Sequence, residues 1–177
     1  MSKCSATPVM NSISNEASKA PLIAAAAEVS CDVIGLAMGE AGMPKTADER
    51  VLEATDLLEK CEAAGVPQTR LYIDLICMSV ASTPEQGREL LAAVRRVSDE
   101  LSAQPLVALS NVSFGLPNRR LVNRTFLPML IEAGLAAVIL DPTDPAIVGT
   151  YCAAAALLGM DEYCMEYMEH HRRRTES

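Results

Sequence analysis

Short apolar runs along this sequence end on carboxamides and carboxylates, and these are the side chains whose types and spacing suit binding chemistry. They are Asn11 in Asn11-Ser12-Ile13-Ser14-Asn15, Asp74 in Leu71-Tyr72-Ile73-Asp74, Asn111 in Ser110-Asn111-Val112-Ser113, and Asp141 before Pro142. A carboxylate accepts two hydrogen bonds side by side, and a carboxamide offers one donor and one acceptor. A set of them on one rim therefore suits a flat heterocycle gripped by its edge. The same residue types also cap helices and form turns: Ser113 or Asn111 suits the cap of a following helix, and Asp141-Pro142 reads as a turn. Asp74 stands apart because it interrupts the apolar run 71–76, where an unpaired carboxylate is costly and a ligand or a fixed donor is needed.

A second group is cationic. Arg119, Arg120 and Arg124 fall at the start of a predicted helix, the end whose dipole favours anions. Salt bridges to Asp and Glu explain them on one reading, an anionic ligand or acidic partner on the other.

The elements that must position these residues alternate. Residues 7–13, 31–38, 70–78, 105–110 and 135–140 are continuous apolar runs rich in Val, Ile and Leu, the pattern of strands covered on both faces. Between them lie helix starts: Thr46-Ala47-Asp48-Glu49 as a capping box for a helix to about Ala64 with Gly65 as its stop, Thr83-Pro84-Glu85-Gln86 as a second box, and Asp144-Pro145 opening a helix that ends near Gly159. Strand centres at Val9, Ile34, Ile73, Val107 and Ile139 are 25, 39, 34 and 32 residues apart, the period of a βα unit. Five units in 177 residues predict one α/β domain over 1–177 with a parallel sheet. Length alone favours an open sheet, since an eight-stranded barrel needs roughly 250 residues. In either architecture ligands bind at the carboxyl ends of the strands, where the polar residues above are expected.

Composition removes several function classes. Acidic residues outnumber basic ones, 23 to 15, giving a net charge of −8, and aromatics are 3% with no Trp, which argues against nucleic-acid binding. Neither a GxGxxG nor a GxxxxGK[ST] motif occurs. The six cysteines, at 4, 31, 61, 77, 152 and 164, form no CxxC pair and no metal-ligand spacing, and Cys31, Cys61 and Cys77 fall in apolar stretches as small core residues. Residues 1–8 carry no apolar signal segment, and the stretch from Pro21 to Gly39 is interrupted by Glu28 and Asp32, so a cytoplasmic protein without a membrane span or a resident metal is expected.

One set of segments is more specific. LSNVSFGLPNRRLVNRTFLPMLIEAGLAAVILDP at 109–142, with MNSISNE at 10–16, GMPKTADER at 42–50 and LYID at 71–74, resembles the pterin-binding methyltransferases. These comprise the methyltetrahydrofolate:corrinoid/iron-sulfur protein methyltransferases and the folate module of cobalamin-dependent methionine synthase, relatives of dihydropteroate synthase. The resemblance implies a (β/α)8 TIM barrel of which this chain holds strands four to eight with their helices. It implies methyltetrahydrofolate as substrate, its N5-methyl group passing to the cobalt of a cobalamin or other corrinoid carried by a partner protein. It also implies roles: Asn11, Asp74 and Arg119 as pterin contacts, with Asp74 on the amino-pyrimidine edge, and Asn111 as both pterin contact and catalytic residue near N5. Two departures accompany it. Strands one to three are missing, with the family's Asp-Ser-Thr type segment, and the family's Ile-Asp-Pro is Ile73-Asp74-Leu75 here. A five-unit piece exposes sheet edges, so self-association or a chain supplying the missing strands is expected. The alternatives are a non-catalytic remnant or assembly subunit, and a condensation like that of dihydropteroate synthase, for which Lys45 is the strand-end lysine.

Overall fold

The computed structural model describes residues 7–29 and 31–175. Cys4 and the leading segment 1–6 lie outside them. Five strands, β1 (Val9–Ser14), β2 (Asp32–Leu36), β3 (Leu71–Asp74), β4 (Gln104–Ala108) and β5 (Ala137–Ile139), form one parallel sheet in the order β1-β2-β3-β4-β5. Four helices join them: α1 (Ala20–Glu28), α2 (Ala47–Ala64), α3 (Gln86–Asp99) and α4 (Arg119–Glu132). Two more follow β5, α5 (Pro145–Leu157) and α6 (Met165–Thr175).

Length alone favours an open sheet, and the strand order points the other way. A doubly wound sheet reverses direction at a switch point and carries helices on both faces. Here the order never reverses, and each of α1 to α5 packs against the next, so the helices form a single layer. That is the winding of a barrel segment, an α/β sheet consistent with part of a TIM barrel.

The layer buries the core. Ile13, Val33, Leu71, Ile73 and Val107 pack with Leu57, Leu90, Val94, Leu127 and Leu130 from the helices. Ile34 and Leu106 are also buried but belong to the alternate strand positions outside that cluster, so they face the other side of the sheet. In the register of the sheet, Asp74 shares its row with Leu36 on one side and Leu106 on the other. The outer strands end the sheet: Val9 on β1 is 53% exposed and Ile139 on β5 is 44% exposed, large apolar side chains on unpaired edges.

Gly35 shows how tightly the helix layer sits. A Cβ there would lie 2.5 Å from Leu57 Cδ2 and 3.4 Å from Leu71 Cδ1, both in fully buried side chains. Gly35→Ala is expected to cost about 1–3 kcal/mol of stability through overpacking, read from denaturant unfolding. An unchanged midpoint would show that α2 is free to shift.

Several helix starts are as predicted and one is not. Thr46 and Glu49 form the reciprocal capping box of α2, Gly65 stops it at φ 87°, and Asp144 caps α5 with Pro145 following. The second box does not form. α3 begins at Gln86, the N-cap Glu85 makes no side-chain bond, and Thr83 contributes only a carbonyl that accepts from Gln86 N at 3.1 Å. Strand three is also shorter than the apolar run: it ends at Asp74 instead of reaching Met78, because Ile76 turns to φ 53° and leaves the extended region. Among the described residues no helix is long and apolar enough to cross a membrane.

Candidate functional site

Asp74 is the last residue of the central strand and is 8% exposed. Its Oδ1 accepts from Ile76 N at 2.9 Å, and among the described residues no donor reaches Oδ2. The neighbouring main chain is fixed: Asp74 O accepts from Ala37 N at 2.9 Å, and Leu75 N donates to Leu106 O at 3.1 Å. Burial pushes the carboxyl above the usual carboxylate range, opposed by the Ile76 hydrogen bond. A carboxylate half-satisfied in this way, at the carboxyl end of a strand, has room for paired donors from a ligand.

Asn111 lies on the short 3₁₀ turn Leu109–Ser113 that follows β4, and its side chain is exposed. It caps no helix: α4 begins eight residues later behind Asn118, and no described residue hydrogen bonds to the Asn111 carboxamide. The side chain opens on a cavity of about 400 Å³ shared with Met43, Met78, Ser79, Ser82, Thr83 and Phe114, from the loops after β2, β3 and β4. The turn is held by Val80 N donating to Val112 O at 3.1 Å and by Ser113 Oγ donating to Ser110 O at 3.2 Å.

Asn11 is placed differently from a strand end. It is the third residue of the six in β1, exposed, paired in register with Ile34, so it lies two rows behind Asp74 on the sheet. The residue past the end of β1 is Asn15, whose carboxamide is spent on α2: Nδ2 donates to Glu53 O and Oε2, both at 2.7 Å, and Oδ1 accepts from Lys60 Nζ at 3.1 Å.

The arginines divide. Arg124 pairs with Asp144 at 2.8 Å, tying α4 to the cap of α5 and holding the Asp144 carboxyl below its ordinary value. Arg119 folds back over its own loop, donating from Nε to Ser113 Oγ at 3.1 Å and from an Nη to Ser110 O at 2.7 Å, with the guanidinium 5.8 Å from the Phe114 ring centroid. Arg120 is exposed and helps lower the Asp141 and Asp144 carboxyls. Asp141 itself forms a turn, its Oδ1 accepting from Thr143 N and Oγ1. Salt bridges and loop contacts therefore account for much of the basic cluster.

The cysteines at 31, 61, 77 and 152 are buried, as core residues. Burial raises the Cys61 thiol to about 11 and the Cys77 thiol to about 12, so both stay protonated at neutral pH.

One residue escaped the reading of side-chain types. Arg50 on α2 is fully buried. Its Nε donates to Leu75 O at 2.8 Å, one Nη to Thr46 O at 3.2 Å, and the other to Ile76 O at 3.2 Å and Gln86 Oε1 at 2.7 Å. Gln86 Nε2 in turn donates to Lys45 O at 2.8 Å. The signal was in the sequence. Ala47, Val51, Ala54, Leu57 and Cys61 make the buried stripe of α2, and Arg50 falls on that stripe at helical spacing.

A family model described as pterin binding enzyme matches residues 3–141, a span that contains all five strands with Asn11, Asp74, Asn111 and Arg119. The chain belongs to the pterin-binding enzyme family. Among curated proteins, the methylcorrinoid:tetrahydrofolate methyltransferase of Eubacterium limosum is 25% identical over 174 residues, which is 96% of this chain and 64% of that protein. The methionine synthase of Mycobacterium tuberculosis is 31% identical over 128 residues, 68% of this chain and 11% of that much larger protein. The chain thus spans less than two thirds of each relative. Both relatives are, by name, enzymes of the kind that the resemblance in the sequence pointed to. Within the pterin-binding family, the strand-end carboxylate and the carboxamide beyond the next strand acquire a candidate ligand.

Proposed function

We propose that this chain is the pterin-binding part of a methyltransferase that moves a methyl group between N5 of tetrahydrofolate and the cobalt of a corrinoid held by a partner protein. The observation that carries the reading is Asp74: a buried carboxylate at a strand end, one oxygen held by Ile76 N and the other without a donor among the described residues. The amino-pyrimidine edge of a pterin presents two N–H donors side by side, which is what a carboxylate in that state lacks.

The roles follow from this placement. Asp74 anchors and orients the ring by its pyrimidine edge. Asn111, on the turn after the adjacent strand and with a carboxamide that no described residue hydrogen bonds, directs its carboxamide N–H to N5. When the methyl group leaves N5, the nitrogen keeps the bonding electron pair and becomes a base. A donor placed there stabilises the charge that develops, and a proton from solvent completes the amine. In the reverse direction the same donor releases the N5 lone pair, so one geometry serves both directions. The Eubacterium limosum relative is named for transfer from corrinoid to folate. Asn11 borders the ring from β1, and Arg119 shapes the loop that carries Asn111. The cobalt supplies the methyl-accepting or methyl-donating centre when the corrinoid protein docks, and no nucleophile from this chain is required. The setting is cytoplasmic.

The open edges of β1 and β5 are the places where barrel strands one to three would pair, and the third of the Eubacterium limosum relative left unmatched has the length of three βα units. Three such units, in the same polypeptide or on another chain, are therefore proposed to complete the sheet, with β1 to β5 as strands four to eight. Titrating methyltetrahydrofolate by calorimetry tests the reading, with the purified chain alone and mixed with the first three βα units of that relative. Saturable binding in either arm supports it. No heat in both arms would overturn it and leave the role of a non-catalytic assembly subunit. A shift in gel-filtration volume on mixing checks the strand partner separately.

A further inference from the structure

We propose that Arg50 and Gln86 are positioning residues for the Asp74 carboxylate. Arg50, braced by Gln86, holds the Leu75 and Ile76 carbonyls so that Ile76 stays in the left-handed conformation, which turns its N–H onto Asp74 Oδ1 and leaves Oδ2 for the ligand. The inference rests on the reading of Asp74 as the pterin anchor.

Three observations support it. First, Arg50 is a buried cation with no carboxylate within salt-bridge distance among the described residues; its partners are three main-chain carbonyls and one carboxamide. A buried guanidinium loses much of its hydration, so one kept only for helix packing would be replaced to advantage by an apolar side chain. Two of its four bonds go instead to the residues that follow Asp74. Second, Ile76 sits at φ 53°. A β-branched residue is strained in that region and keeps the conformation only where its surroundings impose it. The surroundings here are Arg50 on the Ile76 carbonyl and Asp74 on the Ile76 amide. Third, Leu75, between Asp74 and Ile76, is held at both main-chain groups: its N–H donates to Leu106 O at 3.1 Å and its carbonyl accepts from Arg50 Nε at 2.8 Å. Gln86 fixes the second arm of the guanidinium and, through Lys45 O, ties in the loop between β2 and α2. The planar fork matters: a lysine at 50 reaches one carbonyl where the arginine spans Leu75, Ile76 and Gln86 together.

The test uses Arg50→Lys and Gln86→Leu in the full chain, at a temperature where both are folded. Three quantities are read: the Ile76 amide resonance, the titration midpoint of the Asp74 carboxyl carbon, and the affinity for methyltetrahydrofolate. In both variants the Ile76 resonance is expected to move and the Asp74 midpoint to rise, as the Ile76 N–H bond that opposes burial weakens. Affinity is expected to fall about tenfold, more in Arg50→Lys than in Gln86→Leu. Adding Ile76→Gly to Arg50→Lys is expected to restore part of the affinity, because glycine takes the left-handed region without strain. Loss of thermal stability with the Ile76 resonance and Asp74 midpoint unchanged would overturn the proposal and leave Arg50 a packing residue. Should Arg50→Lys not fold, Gln86→Leu decides alone. Wild-type protein that fails to bind the pterin would overturn the reading of Asp74 as anchor, while the two resonances still report whether Arg50 positions it.

Discussion

Asp74→Asn is expected to weaken methyltetrahydrofolate binding by about 30- to 150-fold and at the same time to raise the thermal midpoint of the free protein. The two effects come from one cause. The carboxylate is buried with a single hydrogen bond among the described residues, so the folded state bears a desolvation cost that a neutral isostere avoids. Asparagine keeps an oxygen for Ile76 N but turns an NH₂ toward the pterin, donor against donor, where the carboxylate offered an acceptor to each ring N–H.

The sign of the pH dependence follows from the raised value. A carboxyl whose folded pKa lies above its unfolded one, about 3.9 for Asp, binds its proton more tightly in the folded state. Wild-type stability is therefore highest relative to the variant below the unfolded pKa. It falls as pH rises through the window up to the folded pKa, and the deficit is constant above that. The stabilisation of Asp74→Asn over wild type should accordingly be largest at neutral pH and shrink on acidification. Calorimetric titration with the pterin and thermal melts at several pH values measure both effects. Wild-type affinity in the variant would remove Asp74 from the site, and a lowered midpoint at neutral pH would mean that the carboxylate has a donor the geometry does not show.

Much of this arrangement was legible in the sequence, and the parts that were not have physical reasons. Strands covered by helices on one face, with Ile34 and Leu106 also buried on the other, read as continuous apolar runs, which is why all five were found within a few residues. The caps at Thr46 and Asp144 were legible because each side chain serves its own helix. The box at Thr83 was not, because Gln86 is drawn to Arg50 and Lys45 and the helix begins there. The end of β3 was hidden for a related reason. Leu75, Ile76 and Cys77 are apolar and read as strand, whereas a contact from α2, 26 residues earlier in the chain, accompanies the turn at Ile76. Composition of a segment cannot show a constraint imposed by a remote guanidinium. The arginine cluster illustrates the converse. Its charge attracts a functional reading, but Asp144 takes Arg124 and the loop carbonyl of Ser110 takes Arg119. Polarity at a strand end leaves a side chain open to a ligand where no described residue partners it, as at Asn111, and is accounted for locally where one does, as at Asn15.

That distinction gives Asn111 the second large effect. Asn111→Ala is expected to lower the rate of methyl transfer by about 100- to 1,000-fold while changing methyltetrahydrofolate affinity by less than about tenfold. The carboxamide is exposed, bonded to no described residue, and mounted on a turn fixed by Val112 and Ser113, so removing it leaves the scaffold untouched. Its contribution is concentrated in the transition state because N5 in the methylated pterin is a weakly basic tertiary amine. The extra electron pair and negative charge that the donor stabilises appear only as the N5–methyl bond breaks. Asn111→Asp sharpens the test, since an ionised carboxylate is isosteric but has no N–H to donate, and it should behave like alanine at neutral pH with partial recovery on acidification. Single-turnover transfer to a corrinoid protein, in whichever assembly supports the wild-type reaction, separates the rate from binding. An affinity loss as large as the rate loss would make Asn111 a binding residue, and Asn111→Asp with wild-type rate at neutral pH would show that the group needed beside N5 is an acceptor.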